Sequence, residues 1–154
     1  TGIMILATSR VEVFNNIITN NKTANTSIVS YYITEEPITD SLYCPYPTSI
    51  YLHHNTYYRD IQFPAFSFTQ PIGFLLAYNY WRDIPDIIYD GIIDTLLMKD
   101  GDMPDQYKIC IQNNINADFS NLDAGNNFEN MSQNLAPHDC AHLYLDPVQY
   151  PFIK

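Results

Sequence analysis

Positive charge is scarce in this chain. Seven lysine and arginine residues stand against 17 aspartate and glutamate residues, which gives a formal net charge of −10. A protein that binds nucleic acid needs a basic footprint for the phosphates, so the composition argues against a nucleic-acid partner. It argues in the same way against an anionic membrane surface. A negative field of this size attracts basic proteins, although acidity can also serve solubility alone.

Long apolar runs are missing as well. The best candidate, "IGFLLAYNYW" at 72–81, is much shorter than the roughly 18–20 residues that cross a bilayer. We therefore expect no membrane span, and we interpret this run as a buried strand. The motifs that mark common catalytic sites are also absent: there is no Gly-rich phosphate loop, no G-x-S-x-G, no H-E-x-x-H and no paired-carboxylate motif. The sequence therefore favours a protein that is not an enzyme and needs no cofactor.

The chain has only three cysteines, Cys44, Cys110 and Cys140, and no C-x-x-C pair. This spacing excludes a zinc ribbon and a thioredoxin motif. In a secreted protein, three cysteines predict one disulfide and one remaining thiol, and the sequence does not say which two cysteines pair.

Three N-x-S/T sequons begin at Asn21, Asn25 and Asn130. Each lies in a stretch rich in Asn, Ser and Thr, where a surface glycan could be tolerated. Their placement favours a secreted glycoprotein.

Aromatic and proline residues are plentiful, with 13 Tyr, 8 Phe and 10 Pro against 5 Gly. Such a composition favours pleated strands over helical bundles. Short apolar or alternating runs between polar turns predict an all-β fold, a β-sandwich of eight or nine strands in one domain spanning 1–154. No internal repeat is evident, and 113–136 is expected to be a long loop. The predicted strands are 3–8, 10–19, 27–34, 49–53, 56–63, 65–69, 72–80, 106–112 and 141–146.

One segment has helical spacing instead. Apolar residues recur with a helical period over 84–98, Asp83 can cap the first turn, Pro85 fits that turn, and Gly101 can end the helix. The helix would align Asp86, Asp90 and Asp94, four residues apart, along one side. Like charges at this spacing destabilise a helix by a few tenths of a kcal/mol per pair. A cation or a basic protein would offset that cost, and a solvated face is the alternative interpretation.

Further acidic residues lie near tyrosines. "EEPITD" contains Glu35, Glu36 and Asp40, and the stretch that follows contains Tyr57 and Tyr58. Tyrosines beside acidic loops make rigid, amphipathic recognition surfaces. These residues, together with the three aspartates of the predicted helix, are the candidate protein-binding site. "DGDMPD" at 100–105 resembles a calcium loop only loosely, because it lacks the loop's residue order and distal Glu.

The stretch "LAPHDCAHLYLD" at 135–146 concentrates residue types that bind metals or activate nucleophiles. On a strand, His138, Cys140 and His142 would project from one face. They could then bind zinc or form an activated thiolate, with His53 and His54 as the other available histidines. If Cys140 is in a disulfide, it can do neither, and we favour this second interpretation.

The acidic, strand-rich chain resembles the secreted chemokine-binding proteins of poxviruses, in particular the chemokine-binding domain appended to some viral tumour-necrosis-factor receptors. The resemblance is carried by domain size, charge, the Ile/Asn/Tyr-rich strands, "DIPDIIYDGIIDTLLM" and "CAHLYLDPVQYPFIK". It implies a β-sandwich that binds basic chemokines on an acidic face and blocks their receptor-binding surface. Members of that family have more cysteine.

The sequence therefore predicts a secreted viral binding protein that sequesters a basic protein such as a chemokine, with no catalytic residues and no metal. A viral or cell-surface attachment head that recognises a receptor or a glycan is the alternative. A metal- or thiol-dependent enzyme centred on 138–142 is the third hypothesis.

Overall fold

The protein is described here by a computed structural model that covers residues 1–60, 63–65 and 71–143. Within these residues one α-helix, α1 (Pro71–Tyr80), accompanies nine short strands. The strands are β1 (Ile3–Leu6), β2 (Ser9–Phe14), β3 (Ile17–Thr19), β4 (Thr26–Val29), β5 (Thr48–His53), β6 (Thr56–Tyr58), β7 (Ile87–Tyr89), β8 (Ile109–Gln112) and β9 (Phe119–Asn121).

The strands form three sheets in which every strand pair is parallel. The first sheet has the order β1-β4-β7-β9, the second β2-β5-β8 and the third β3-β6. Neighbours in each sheet therefore come from successive passes of the chain: Thr26 of β4 pairs with Ile3 on one side and with Ile87 on the other. The chain winds as a coil, which is the principle of a β-solenoid. Each of the first two turns contributes one strand to each sheet, and the third contributes β7, β8 and a single parallel bridge from Ile115 to Thr56.

The predicted β-sandwich is wrong. A sandwich is built from antiparallel sheets, whereas the described strands pair only in parallel and α1 lies between β6 and β7, an arrangement closer to α/β proteins. Strand direction was not readable from the sequence, because short apolar runs separated by polar turns occur in both architectures. Parallel strands are buried on both faces, and β4 and β7 are buried along their whole length.

The core consists of apolar side chains stacked from one turn of the coil to the next. In the second sheet Val11, Ile50 and Ile109 are in register, and the next inward row contains Val13, Leu52 and Ile111. In the first sheet Ile5 is in register with Ile28. Burying a side chain of this size stabilises the fold by about 1.5–3 kcal/mol. A second, smaller cluster contains Leu76 of α1, Ile84, Ile88 and Leu122, and it joins the helix to the outer face of the first sheet.

The predicted helix at 84–98 is also wrong. Ile87–Tyr89 is strand β7, Gly91 has a φ of 81° that no helix accommodates, and only Thr95–Leu97 forms a short 3-10 helix. The β-branched Ile87 and Ile88 are better placed in a sheet than in a helix. Conversely, the run expected to be a strand at 72–80 lies in α1. Its Leu-Leu-Ala sequence has high helix propensity, and proline at the first helical position is compatible with a helix.

Most of the other strands were predicted in place but too long. The runs 3–8 and 49–53 contain β1 and most of β5, and 10–19 divides into β2 and β3. The run 27–34 ends as a 3-10 helix at Tyr31–Thr34, and 106–112 begins with one at Asp105–Tyr107. The expected loop at 113–136 contains β9. No strand forms at 65 or at 141–143. Parts of the predicted strands 56–63, 65–69 and 141–146 lie outside the described residues, namely 61–62, 66–69 and 144–146.

Three stacked asparagines, Asn16, Asn55 and Asn114, line the corner between the second and third sheets. The side-chain oxygen of Asn55 accepts hydrogen bonds from both the backbone and the side-chain nitrogen of Asn16, each at 3.1 Å. Asn114 accepts in the same way from Asn55, at 2.9 and 3.0 Å. The side chains also donate to the preceding turn, Asn55 to the carbonyl of Val13 and Asn114 to that of Leu52. We call this arrangement the asparagine ladder.

The residue before each ladder asparagine has a left-handed backbone. Asn15, His54 and Asn113 have φ values of 56°, 52° and 54°. This conformation turns the chain sharply from one sheet to the next, and Asn is one of the few residues with a side chain that adopts it at low cost. The same two-residue corner therefore repeats in three turns of the coil, although the turns share no obvious sequence repeat.

Among the described residues, no helix combines the length and the apolar character that a membrane crossing requires.

We predict that Asn55→Ala lowers the free energy of unfolding by roughly 2–4 kcal/mol, because it leaves buried backbone and amide groups of two neighbouring turns without partners. Asn55 is fully buried. Urea denaturation measures the change. Asn79→Ala on the exposed face of α1 is the control and should change stability by less than about 0.5 kcal/mol. An equal effect of the two substitutions would contradict the role of the ladder.

Candidate binding surface

The chain passes from the first sheet to the second at one corner of the coil, and two long segments, 30–47 and 90–108, leave the coil there. The first is held by its own backbone. Tyr31 N–H donates to the carbonyl of Pro45 at 2.8 Å, Glu35 N–H to that of Tyr32 at 3.2 Å, and Tyr43 N–H to that of Asp40 at 3.2 Å. Although it is a loop, 30–47 therefore has a defined shape.

Four tyrosines, Tyr31, Tyr32, Tyr43 and Tyr46, cover this corner. The rings of Tyr31 and Tyr43 meet edge to face, with centroids 5.3 Å apart, and those of Tyr32 and Tyr46 are 5.5 Å apart. A hydrogen bond with Tyr32 is the main cause that raises the pKa of Tyr46 to about 12. Tyr32 and Tyr43 remain 46% and 39% exposed, so their rings are accessible to a partner.

Acidic residues surround these rings. Glu35, Glu36 and Asp40 are exposed, and none of them forms an ion pair within the described part of the chain. Asp94, from the second segment, is half-buried, and its charge contributes to the raised pKa of Tyr46. We call the four tyrosines with Glu35, Glu36, Asp40 and Asp94 the acidic tyrosine corner. Four of the eight predicted site residues belong to it, but its tyrosines are not the ones that were predicted.

Asp86 is not exposed on a helix. Its side chain is 9% exposed, its Oδ1 accepts a hydrogen bond from Asn25, and that oxygen lies 3.7 Å from Nε of Arg59. Burial raises the pKa of Asp86, and the contacts with Asn25 and Arg59 oppose that increase. Asp86 therefore belongs to the interior of the coil.

Asp90 is also buried, at 0% exposure. Its carboxylate accepts hydrogen bonds from the backbone N–H groups of Ser30, at 2.6 Å, and Ile92, at 3.1 Å. It thus joins the end of β4 to the turn after β7. Burial is the main cause that raises its pKa, and the two backbone N–H groups oppose the increase. The predicted acidic stripe does not form, because β7 and its flanking turns replace the helix that would have aligned the three aspartates.

The two predicted tyrosines differ. Tyr57 is fully buried in the core, where its hydroxyl is 3.2 Å from that of Thr26 and burial raises its pKa to about 12. Tyr58, next in the chain, is 54% exposed and donates a hydrogen bond to Asp60 at 2.7 Å. Both lie at a different corner of the coil from Glu35 and Glu36. The predicted site residues are therefore distributed over two separate surfaces and the interior of the coil.

The sequon asparagines also differ in environment. Asn25 is fully buried and bonded to Asp86 and to the carbonyl of Tyr58, so it is not accessible as a glycan acceptor in this fold. Asn21 is half-buried beside it. Asn130 is exposed, although its amide contacts Asp123 at 3.2 Å. The expectation that a glycan could be tolerated at all three sequons is wrong for Asn25.

Cys140 forms a disulfide with Cys110 of β8, and Cys44 is the exposed free thiol. The expectation of one disulfide and one remaining cysteine is confirmed. His138 Nδ1 donates to the carbonyl of Ile109 in β8 at 3.0 Å. His142 Nε2 donates to the carbonyl of Lys108, the residue before β8, at 2.8 Å. No strand forms over 138–142, and the side chains of His138, Cys140 and His142 instead hold the segment against β8 and the residue before it. Burial lowers the pKa of His138.

The contact between Glu12 and His53 was not predicted from the sequence. Their Oε1 and Nε2 atoms are 2.9 Å apart, and His53 Nδ1 is 2.8 Å from Nδ1 of His54. Alternation in "RVEVF" places Glu12 on the outer face of the second sheet, and the parallel register brings it next to β5. The sequence pattern does not show this register, so it could not predict the contact between Glu12 and His53. Across the described ranges no group of three or more His, Cys, Asp or Glu side chains is arranged to hold a metal ion.

Comparison with known proteins finds no matching family model, no similar curated protein and no similar solved structure.

We predict that the stability advantage of the wild type over Asp90→Asn is greater at pH 3.5 than at pH 7. A raised carboxyl pKa means that the folded state holds the proton more tightly than the unfolded state does. The stabilisation is complete below the unfolded pKa near 3.8 and is lost as the pH rises through the folded pKa. Urea denaturation of both proteins between pH 3.5 and pH 7 measures the difference in the free energy of unfolding. Asp100→Asn, at an exposed position, is the control, and a difference that is constant or grows with pH contradicts the prediction.

We predict that Cys110→Ser/Cys140→Ser lowers the free energy of unfolding by roughly 2–4 kcal/mol, because the bond closes a loop between residues 30 apart in sequence. Cys44→Ser should have little effect, since that thiol is free and exposed. Thermal unfolding of the three proteins, with and without reductant, gives the comparison. Reductant should destabilise the wild type and Cys44→Ser but not the double variant.

Proposed function

We propose that the chain is a non-catalytic binding protein that captures a basic protein on the acidic tyrosine corner. The observation that carries this proposal is the set of exposed carboxylates, Glu35, Glu36 and Asp40, which have no ion-pair partner among the described residues and adjoin accessible tyrosine rings. Two of the few basic side chains form ion pairs elsewhere in the protein: Arg59 pairs with Asp86, and Lys108 pairs with Asp102 and Asp105.

The charge of the protein supports rapid encounter with such a partner. The net charge of −10 produces an attractive field, and complementary charge acts mainly on the association rate. The tyrosine rings supply contact area at a low cost in side-chain entropy. Leu42, which is 92% exposed in the same loop, adds apolar surface.

The fixed shape of the loop supports affinity. Besides the backbone bonds within 30–47, Leu42 N–H and Glu36 N–H donate to the side chains of Asp40, at 2.9 Å, and Thr34, at 3.2 Å. A surface that is already ordered loses less conformational entropy on binding. The backbone that carries Glu35, Glu36 and Asp40 is therefore ordered before a partner binds.

The proposal includes secretion, and a chemokine is one partner of the right chemistry. The Cys110–Cys140 disulfide supports an oxidising compartment. The resemblance to poxvirus chemokine-binding proteins implied a β-sandwich, and the parallel sheets differ from that fold, so the proposal stands on the corner itself. Membership of that family stays a prediction.

We predict that Glu35→Gln/Glu36→Gln slows association with basic chemokines, and with an oligolysine peptide, about three- to tenfold at low salt, because two attractive charges are lost. Surface-based kinetics would be measured at about 0.1 M and about 1 M NaCl, between which the Debye length falls from about 10 Å to about 3 Å. At high salt the difference between variant and wild type should largely vanish.

Asp60→Asn/Asp139→Asn is the matched control. It removes the same charge from exposed positions outside the acidic tyrosine corner. If the control slows association as much as the test variant, net charge rather than this corner is responsible. If no basic protein binds, or if binding is indifferent to salt, the proposal is wrong.

A further inference from the structure

A second concave site lies at the corner where the chain returns from the third sheet to the first. It is a cavity of about 250 Å³ between the end of β6 and the segments that precede β7 and β9. The polar residues that line it are Tyr58, Arg59, Asp83, Asp86, Asn116 and Asp118. This corner is separate from the acidic tyrosine corner, which lies between the first and second sheets.

The side chain of Arg59 is incompletely satisfied in this cavity wall. It is 7% exposed, and its Nη1 donates to the carbonyl of Thr23 at 3.1 Å. Its Nε and Nη2 are buried and have no hydrogen-bond partner among the residues that the structure describes, since Asp86 is 3.7 Å from Nε. Buried guanidinium N–H groups without acceptors are costly, and such groups are rare in folded proteins. The wall therefore offers hydrogen-bond donors that need an acceptor.

The rest of the lining offers acceptors. Asp83 and Asp118 are exposed carboxylates, and both, with Asp86, favour the charged form of Arg59 while burial lowers its pKa. Three carboxylates face one guanidinium, so an anion would satisfy Arg59 but would meet net repulsion. A simple cation would suit the aspartates but would leave the arginine donors unsatisfied. Hydroxyl groups do both, because each one donates and accepts.

We infer that this cavity binds one neutral sugar ring of a glycan, whose hydroxyls accept from Arg59 and donate to Asp83 and Asp118. The exposed ring of Tyr58 provides an apolar surface at the rim for the C–H face of the sugar. The volume is below the roughly 300–1,000 Å³ of cavities that enclose drug-sized ligands, which fits a single ring with its neighbours outside. This site adds a carbohydrate ligand to the protein partner proposed above, and it rests on different residues.

The test is a titration of ¹⁵N-labelled protein with D-glucose, D-galactose, D-mannose and N-acetyl-D-glucosamine, followed through the Arg59 Nε–H signal and the backbone signals of Tyr58 and Asn116. At least one sugar should shift these signals with saturation, equally at low and high salt, because the ligand is uncharged. Sodium acetate and inorganic phosphate are titrated in parallel as anionic probes.

Asp83→Asn/Asp118→Asn should weaken the binding of that sugar at least tenfold, since each carboxylate accepts a charge-assisted hydrogen bond. Both residues are exposed, so the variant avoids the loss of the buried ion pair that substitution of Arg59 would cause. Asp100→Asn/Asp139→Asn removes the same charge elsewhere and should bind sugar as the wild type does. Unfolding curves confirm that each variant is folded.

Three results would overturn the inference. They are the absence of any saturable shift with the four sugars, saturation of the Arg59 signal by acetate or phosphate instead, and unchanged sugar affinity in Asp83→Asn/Asp118→Asn. Each of them leaves the acidic tyrosine corner untouched, because the protein-binding test uses Glu35 and Glu36.

Discussion

The asparagine ladder is the interaction on which the rest of this structure depends. A parallel coil must turn its backbone between sheets, and each turn leaves backbone groups pointing into a corner where no strand can pair with them. Asn55 and Asn114 satisfy these groups with their side chains, and each of them bonds in this way to the preceding turn of the coil. In this way the ladder sets the vertical alignment of β2, β5 and β8. The apolar rows of Val11, Ile50 and Ile109 can stack only because that alignment is held.

The sequence predicted local extended structure well and the global arrangement poorly, and the two outcomes have separate physical causes. Alternation and β-branched residues revealed β2, β5 and β8, because side-chain burial is a local property of a strand. Parallel pairing was hidden, because it depends on partners far apart in sequence, such as Thr26 and Ile87. The helix was misplaced for a related reason. Segment 84–98 has apolar residues at a helical spacing, but residues 84–90 are buried without a break in and around β7, so the spacing does not mark one face of a helix.

The same limit explains the divided result for the candidate site. Exposure of Glu35, Glu36 and Asp40 was readable from a loop rich in Pro and polar residues. Burial of Asp86 and Asp90 could not be predicted from the sequence. Their partners are Arg59, Asn25 and the backbone of Ser30, which only the fold brings together. Acidic residues in this protein therefore have two roles. Some remain at the surface, where they determine its electrostatic field, and others replace missing backbone partners inside the coil.

The unequal lengths of the turns have a consequence for how the chain folds. The first two turns pair β1 with β4 across a short connection, whereas β7 can join β4 only after the long segment that contains α1 has closed. Loop-closure entropy rises with the length of the connection, and parallel pairing gives no local hairpin to start from. Folding is thus expected to nucleate in the N-terminal turns and to proceed along the coil, each new turn using the previous one as its template. The Cys110–Cys140 bond would form last and would preserve the order of the turns once they are assembled.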